Sequence, residues 1–179
     1  MRAQIKTHTG ILAWLFVLTL LSSCGETAHF ASYDAQFGPT AASRFRVGTV
    51  IDSSDPLKRG DLSPTFNPST ELKAQLEAKL VSAGLVVDAA FPDSITLIPT
   101  ITDYDPGNAA LRWLAPGAGS TVLTVRCDIQ QHGVSVGKIN VRRTVEFGGV
   151  YSIGQWSIIF GRVADDIVDK LKDRVAQAK

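Results

Sequence analysis

The stretch "STVLTVRCDIQQHGVSVGKINVRRTVEF", residues 120–147, decides the fold class. In its first half Leu123, Val125, Cys127 and Ile129 alternate with Thr124, Arg126, Asp128 and Gln130. That is the period of a strand with one face buried and one wet. In the second half Ile139, Val141, Val145 and Phe147 alternate with Lys138, Asn140, Arg142 and Thr144. Between the halves, His132 and Gly133 form a short turn signal, so the whole reads as a β-hairpin. Arg143 breaks the apolar face. It has three readings: a side chain reaching out at an edge, one paired with a carboxylate, or one marking a functional spot.

Working outward, "RFRVGTVID" places Phe45, Val47, Thr49 and Ile51 on one face of a first strand. Asn67 is a fitting N-cap, Pro68 suits the first helical position, and Glu71 favours the positive end of the helix dipole. Leu72, Leu76, Leu80 and Ala83 follow as an apolar stripe, with Gly84 as the stop. A further strand carries Ile95, Leu97, Ile98 and Ile101. Pro99 within it cannot donate to a ladder, which predicts a sheet edge or a bulge. The chain closes in a helix over 157–177, with Phe160, Val163, Ala164, Ile167, Leu171 and Val175 on one stripe; Arg162, Asp165, Asp166, Asp169, Lys172 and Asp173 suit a solvated face.

The order β-α-β-β-β-α, with half-apolar strands and two amphipathic helices, predicts an α+β two-layer sandwich. Its sheet would have about four mainly antiparallel strands, with both helices on one face.

The N-terminal residues give an address. Arg2 and Lys6 precede the apolar run "ILAWLFVLTLL", Ile11 to Leu21, in the pattern of a signal peptide. As a helix the run covers only about 16 Å, roughly half the hydrocarbon thickness, too little to stay as a span. "LSSC", Leu21 to Cys24, resembles the bacterial lipobox, in which a lipid is attached to the cysteine and the chain is cut before it. Residues 1–23 would then be a signal peptide and 24–42 a lipidated, mostly irregular tether, with a single periplasmic domain over 43–179. Phe30, Tyr33 and Phe37 in the tether could instead pack on the domain. Gly25 after the cysteine, rather than aspartate, favours the outer over the inner membrane by the sorting pattern of lipoproteins.

Of 18 Lys and Arg against 17 Asp and Glu side chains, only Arg2 and Lys6 leave with the signal peptide, so the mature chain is nearly neutral. Nothing in this balance suits nucleic acid. With Cys24 acylated, Cys127 has no disulfide partner and sits with the apolar set of its strand as a small buried hydrophobe.

"GNAALRWLAPGAGST", residues 107–121, holds the candidate binding residues. One reading sets Asn108, Arg112 and Trp113 on an exposed loop as an interaction patch, Arg and Trp being enriched in binding hot spots. The other folds Trp113 and Leu114 back to cap the core, while Gly107, Pro116, Gly117 and Gly119 satisfy turns. The apolar neighbours Ala109, Ala110, Leu111 and Ala115 favour the cap. A phosphate cradle needs glycine amides opening a helix, whereas this stretch leads into a strand. "GVSVGKI", Gly133 to Ile139, has one residue too few between its glycines for a Walker loop, and Ile139 where a magnesium-binding hydroxyl belongs.

The histidines, His8, His29 and His132, form no metal-ligand pattern, and no serine lies in a nucleophile elbow. Asp103 and Asp105 near Pro106 suit turn formation as well as acid–base work. No cofactor, metal or catalytic residue is expected.

"NPSTELKAQLEAKLVSAGL", residues 67–85, followed by "YDPGNAALRWLAPGAGSTVLTVRCDI", residues 104–129, resembles a family of bacterial lipoproteins known by an uncharacterised domain. The resemblance spans residues 40–175 and implies class and location without transferring any catalytic residue. The function expected is a noncatalytic outer-membrane lipoprotein, anchored through Cys24, whose periplasmic domain binds an envelope protein or another envelope component. The alternative is a transport accessory or carrier holding an amphiphilic ligand, a lipid or glycan.

Overall fold

A computed structural model describes residues 28–35, 39–40, 42–59, 66–86, 94–108, 110–111, 118–145 and 155–177. In chain order they form β1 (Ala28–Ala35), β2 (Phe45–Val47), β3 (Ile51–Asp52), a 3-10 turn (Pro56–Arg59), α1 (Pro68–Ser82), β4 (Ile95–Asp105), β5 (Thr121–Gln131), β6 (Val134–Val145) and α2 (Gln155–Gln177). The architecture is an α+β sandwich: one mixed, mostly antiparallel sheet of six strands, with α1 and α2 packed on each other and on the sheet.

The hairpin forms as its alternation predicts. β5 and β6 pair antiparallel from Thr121↔Val145 to Gln131↔Val134. His132 and Gly133 both take positive φ, 52° and 79°, the pair of left-handed residues that a two-residue type I′ turn requires. Leu123, Val125, Cys127, Ile139 and Val141 all face the core and are fully buried.

The sequence of strands across the sheet is β1-β6-β5-β4-β2, with β3 also on β4. Two features raise the expected four strands to six. The first is that "RFRVGTVID" is broken. β2 pairs parallel with Ile95–Leu97, and β3 pairs parallel with Thr100 and Ile101. Between Val47 and Ile51 the chain has one residue more than β4 has between Leu97 and Thr100, so the edge bulges there.

Pro99 lies opposite that bulge. The Leu97 carbonyl accepts from Gly48 N–H at 2.8 Å, so it points to the β2 side, and Pro99, two residues on, has its missing N–H on the same side. β4 is therefore an interior strand, flanked by β5 as well as by β2 and β3. This corrects the edge reading of Pro99; the bulge opposite it lies in the neighbouring edge, and β4 has its own further along. A second bulge falls between Ile101 and Asp103.

The second feature is β1. Residues 28–35, expected to be irregular tether, pair antiparallel with β6 from Ala28↔Thr144 to Ala35↔Gly137. The stretch "AHFASYDA" mixes polar and apolar residues at both parities, so it carries no strand period of its own. Its conformation comes from the open edge of β6, whose backbone donors and acceptors it completes. Ala31 packs against the core.

α1 begins as read: Thr70 N–H donates to the Asn67 side chain at 3.1 Å, with Pro68 in the first turn. Leu72, Leu76 and Leu80 are fully buried against α2 and the sheet. Gly84 follows at φ +66°, the left-handed conformation that ends helices. α2 starts two residues earlier than its periodicity suggests and buries Ile159, Phe160, Val163, Ala164, Ile167 and Leu171 completely. Lys79 and Asp165, 2.7 Å apart, bridge the two helices.

Candidate functional site

The end of the sheet where β4 stops and β5 starts carries the predicted loop, and its base is closed by hydrogen bonds. Asn108 N–H donates to the Gly119 carbonyl at 2.9 Å. Thr121 Oγ1 donates to the Pro106 carbonyl at 2.8 Å, and Gly107 N–H to the Asp105 carboxylate at 2.7 Å. Gly107 and Gly119 have φ of +66° and +67°, and a Cβ on Gly107 would stand 2.3 Å from the Gly119 carbonyl oxygen. Only glycine fits so close a crossing.

Asn108 is exposed, yet its side-chain oxygen accepts from the N–H groups of Ala110 (2.9 Å) and Leu111 (3.2 Å). It shapes the loop locally, as Asx residues do. Of the predicted patch, Asn108 thus has a structural task, while Arg112 and Trp113 lie outside the described residues, as does Cys24. The two readings of Trp113 stand as expectations.

The paired aspartates separate. Asp105 holds the loop base, whereas Asp103 lies on the outer face of the sheet. There it accepts from Lys58 Nζ at 2.9 Å, and Arg142 Nη1 stands 3.4 Å away. Arg142 also donates to Thr124 Oγ1 at 3.0 Å. Register explains the group: Asp103 pairs with Thr124, and Thr124 with Arg142, in one row across three strands. The Lys58 ammonium is held above its ordinary range by the hydrogen bond and charge of Asp103. Arg126, Asn140 and Thr100 form the next row on this face, partly or fully exposed.

On the inner face, Arg143 takes the second of its three readings. Its Nε and Nη2 meet the two carboxylate oxygens of Asp166 at 2.5 Å each, a bidentate pair between β6 and α2. Asp166 was expected on a solvated helix face; that reading is corrected, for the residue is 8% exposed. The signal available in the sequence was Arg143 itself, since a charge on an apolar strand face needs a carboxylate opposite.

Cys127 is fully buried, and burial first, with the Asp128 charge second, pushes its thiol up to about 12. It sits as a small buried hydrophobe, as its place among apolar residues suggested. Among the described residues, no group of three or more His, Cys, Asp or Glu side chains is placed to hold a metal ion.

An aromatic group fixes the start of α2 beside the end of β4. Phe66 meets Trp156 edge-on at 4.8 Å between ring centres, Phe160 meets Tyr104 at 5.0 Å, and Tyr104 Oη donates to the Trp156 carbonyl at 2.8 Å. Aromatic edge-to-face pairs of this kind add about 0.5–1.5 kcal/mol beyond their buried area.

No protein-family model matches the sequence, and no curated protein matches it. Among solved structures, the chain is similar in fold to the PelC dodecamer from Paraburkholderia phytofirmans, with a TM-score of 0.55 and 10% identity over 80% of this chain and 97% of that one. A single-substitution variant of the same dodecamer gives the same values. An uncharacterized protein of known structure aligns with a TM-score of 0.49 and 13% identity, over 75% of this chain and 95% of that one.

Proposed function

We propose that this chain is a noncatalytic lipoprotein of the bacterial outer membrane, anchored by acyl chains on Cys24, whose periplasmic domain binds another envelope component. The observation that carries the reading is the coincidence of a basic start, a short apolar run and "LSSC" at its end. The resemblance of residues 67–85 and 104–129 to a family of bacterial lipoproteins supports it. No described helix is long and apolar enough to cross a membrane, and a lipid on Cys24 supplies attachment without one. The likeness to a PelC dodecamer is one of fold; it makes further copies of the chain one of the partners to look for.

Metabolic labelling with an alkyne fatty acid, followed by membrane fractionation, tests the anchor: label and outer-membrane location should both be lost in Cys24→Ala. Unchanged acylation and fractionation in that variant would sink the reading. Crosslinking in intact envelopes then identifies what is captured, including a second copy of the chain.

The alternative, a carrier holding a lipid or glycan, loses one of its two places to the packing of the core. The space between sheet and helices is occupied by core side chains, which leaves a lipid or glycan the outer sheet face with Thr100, Arg126, Asn140 and Arg142. Native mass spectrometry showing a copurifying amphiphile, displaced by Arg126→Glu, would favour that alternative.

A further inference from the structure

Register places the anchor end of the chain at one defined end of the sheet. Ala28 pairs with Thr144, Thr144 with Val122, and Val122 with Asp105. These residues form one row across four strands, and beyond it lie the glycine-closed loop base and the start of α2.

Cys24 is four Cα steps from Ala28. Fully extended, those steps reach at most about 14 Å. β5, by contrast, carries the chain about 33 Å from this row to the His132–Gly133 turn, at about 3.3 Å per residue. A lipid on Cys24 therefore holds one end of the sheet near the bilayer and leaves the hairpin turn distant.

The near end also presents large apolar side chains to solvent. Leu57, on the 3-10 turn that Lys58 ties to Asp103, is 90% exposed. Leu111 follows the Asn108 cap, and Ile158 lies in the first turn of α2, beside Trp156; both are about half exposed. Among the described residues, the exposed large hydrophobics at the far end are Val81, Val86 and Val134, and Ile51 lies on the edge between the two ends.

We propose that the end of the sheet bounded by Ala28, Thr144, Val122 and Asp105 is a bilayer-contacting surface, with Leu57, Leu111 and Ile158 entering the phospholipid interface. The inference rests on acylation of Cys24, which sets the length of the connection. Apolar side chains at the headgroup boundary add to the hold of the acyl chains and fix the orientation of the domain. The partner is a lipid surface, and the outer sheet face and hairpin turn stay turned to the periplasm.

The experiment uses the full acylated protein in vesicles of phosphatidylethanolamine and phosphatidylglycerol. Single reporter cysteines, Leu57→Cys, Leu111→Cys, Ile158→Cys and Val134→Cys, carry an environment-sensitive fluorophore, with doxyl-labelled phospholipid as quencher. Cys127, buried and poorly ionised, does not compete for the label. Quenching at 57, 111 and 158 should exceed that at 134 by threefold or more. Equal quenching at both ends, in protein that floats with the vesicles, overturns the orientation and leaves the anchor intact. Protein that lacks acyl chains and fails to float overturns the anchor reading and the orientation with it. All four positions are exposed, so the variants should keep the wild-type melting midpoint, which is checked on the same samples.

Discussion

Arg142 and Arg143 are chain neighbours on β6, and the strand's alternation sends them to opposite faces of the sheet. Arg142 keeps half of its side chain in water, 49% exposed, and stands 3.4 Å from an Asp103 that Lys58 also holds. Arg143 is 17% exposed and grips Asp166 with two nitrogens. Identical chemistry thus occupies two dielectric settings. In water the ion pair is weak and screened; between sheet and helix, each member makes the other tolerable.

The difference is sharpest when one partner is removed. Asp166→Ala leaves a guanidinium with its bidentate partner gone, and denaturant melts should show a loss of about 3–5 kcal/mol. A loss below about 1 kcal/mol, the range of surface pairs, would break the contrast between the two faces. Replacing both members by apolar residues, Arg143→Met with Asp166→Leu, should recover most of that loss and bring stability to within about 1–2 kcal/mol of wild type. A double variant as unstable as Asp166→Ala would mean that the pair specifies the helix position in a way apolar packing does not replace.

On the outer face, Arg142→Ala should cost less than about 1 kcal/mol, and the deficit should shrink further in high salt. A larger, salt-insensitive loss would show the face to be covered.

The smallest effect is alkaline. The folded-state pKa of Lys58 is raised above 10.5, chiefly by the hydrogen bond to Asp103 and then by its charge. Its contribution to stability is therefore complete below the unfolded value and is lost as pH rises through the folded one. Wild type should lose slightly more stability than Asp103→Asn as pH climbs past 10.5. Parallel pH profiles for the two proteins would contradict the contact.

The two arginines also show what the sequence could disclose. The hairpin, α1 with its Asn67 cap, and the stripe of α2 were legible because each is encoded by neighbours in the chain: alternation, a cap, a period. Arg143 was legible as an anomaly, yet Asp166 was not legible as its answer. The match lies across the sandwich, twenty-three residues on, and Asp166 flanks an apolar stripe among other aspartates. β1 escaped for a related cause: "AHFASYDA" has no period, and its strand exists because β6 offers an edge. β2 and β3 read as one strand, since the bulge at Gly48 to Val50 answers Pro99 on another strand. In the candidate site, Asn108 and the glycines were recognisable as turn chemistry, while the Lys58–Asp103–Arg142 group required knowledge of register.

The loop base formed by Gly107, Asn108, Gly119 and Thr121 brings the two ends of the loop together at the sheet. Its ends are held together by the Asn108–Gly119 backbone hydrogen bond and by the Thr121 hydroxyl on the Pro106 carbonyl, so much of the chain-closure entropy is met at the base. Each doubling of loop length beyond it adds only about 0.6 kcal/mol. A short flexible peptide spliced in after Leu111 should therefore leave the sandwich folded, with a melting midpoint close to that of wild type.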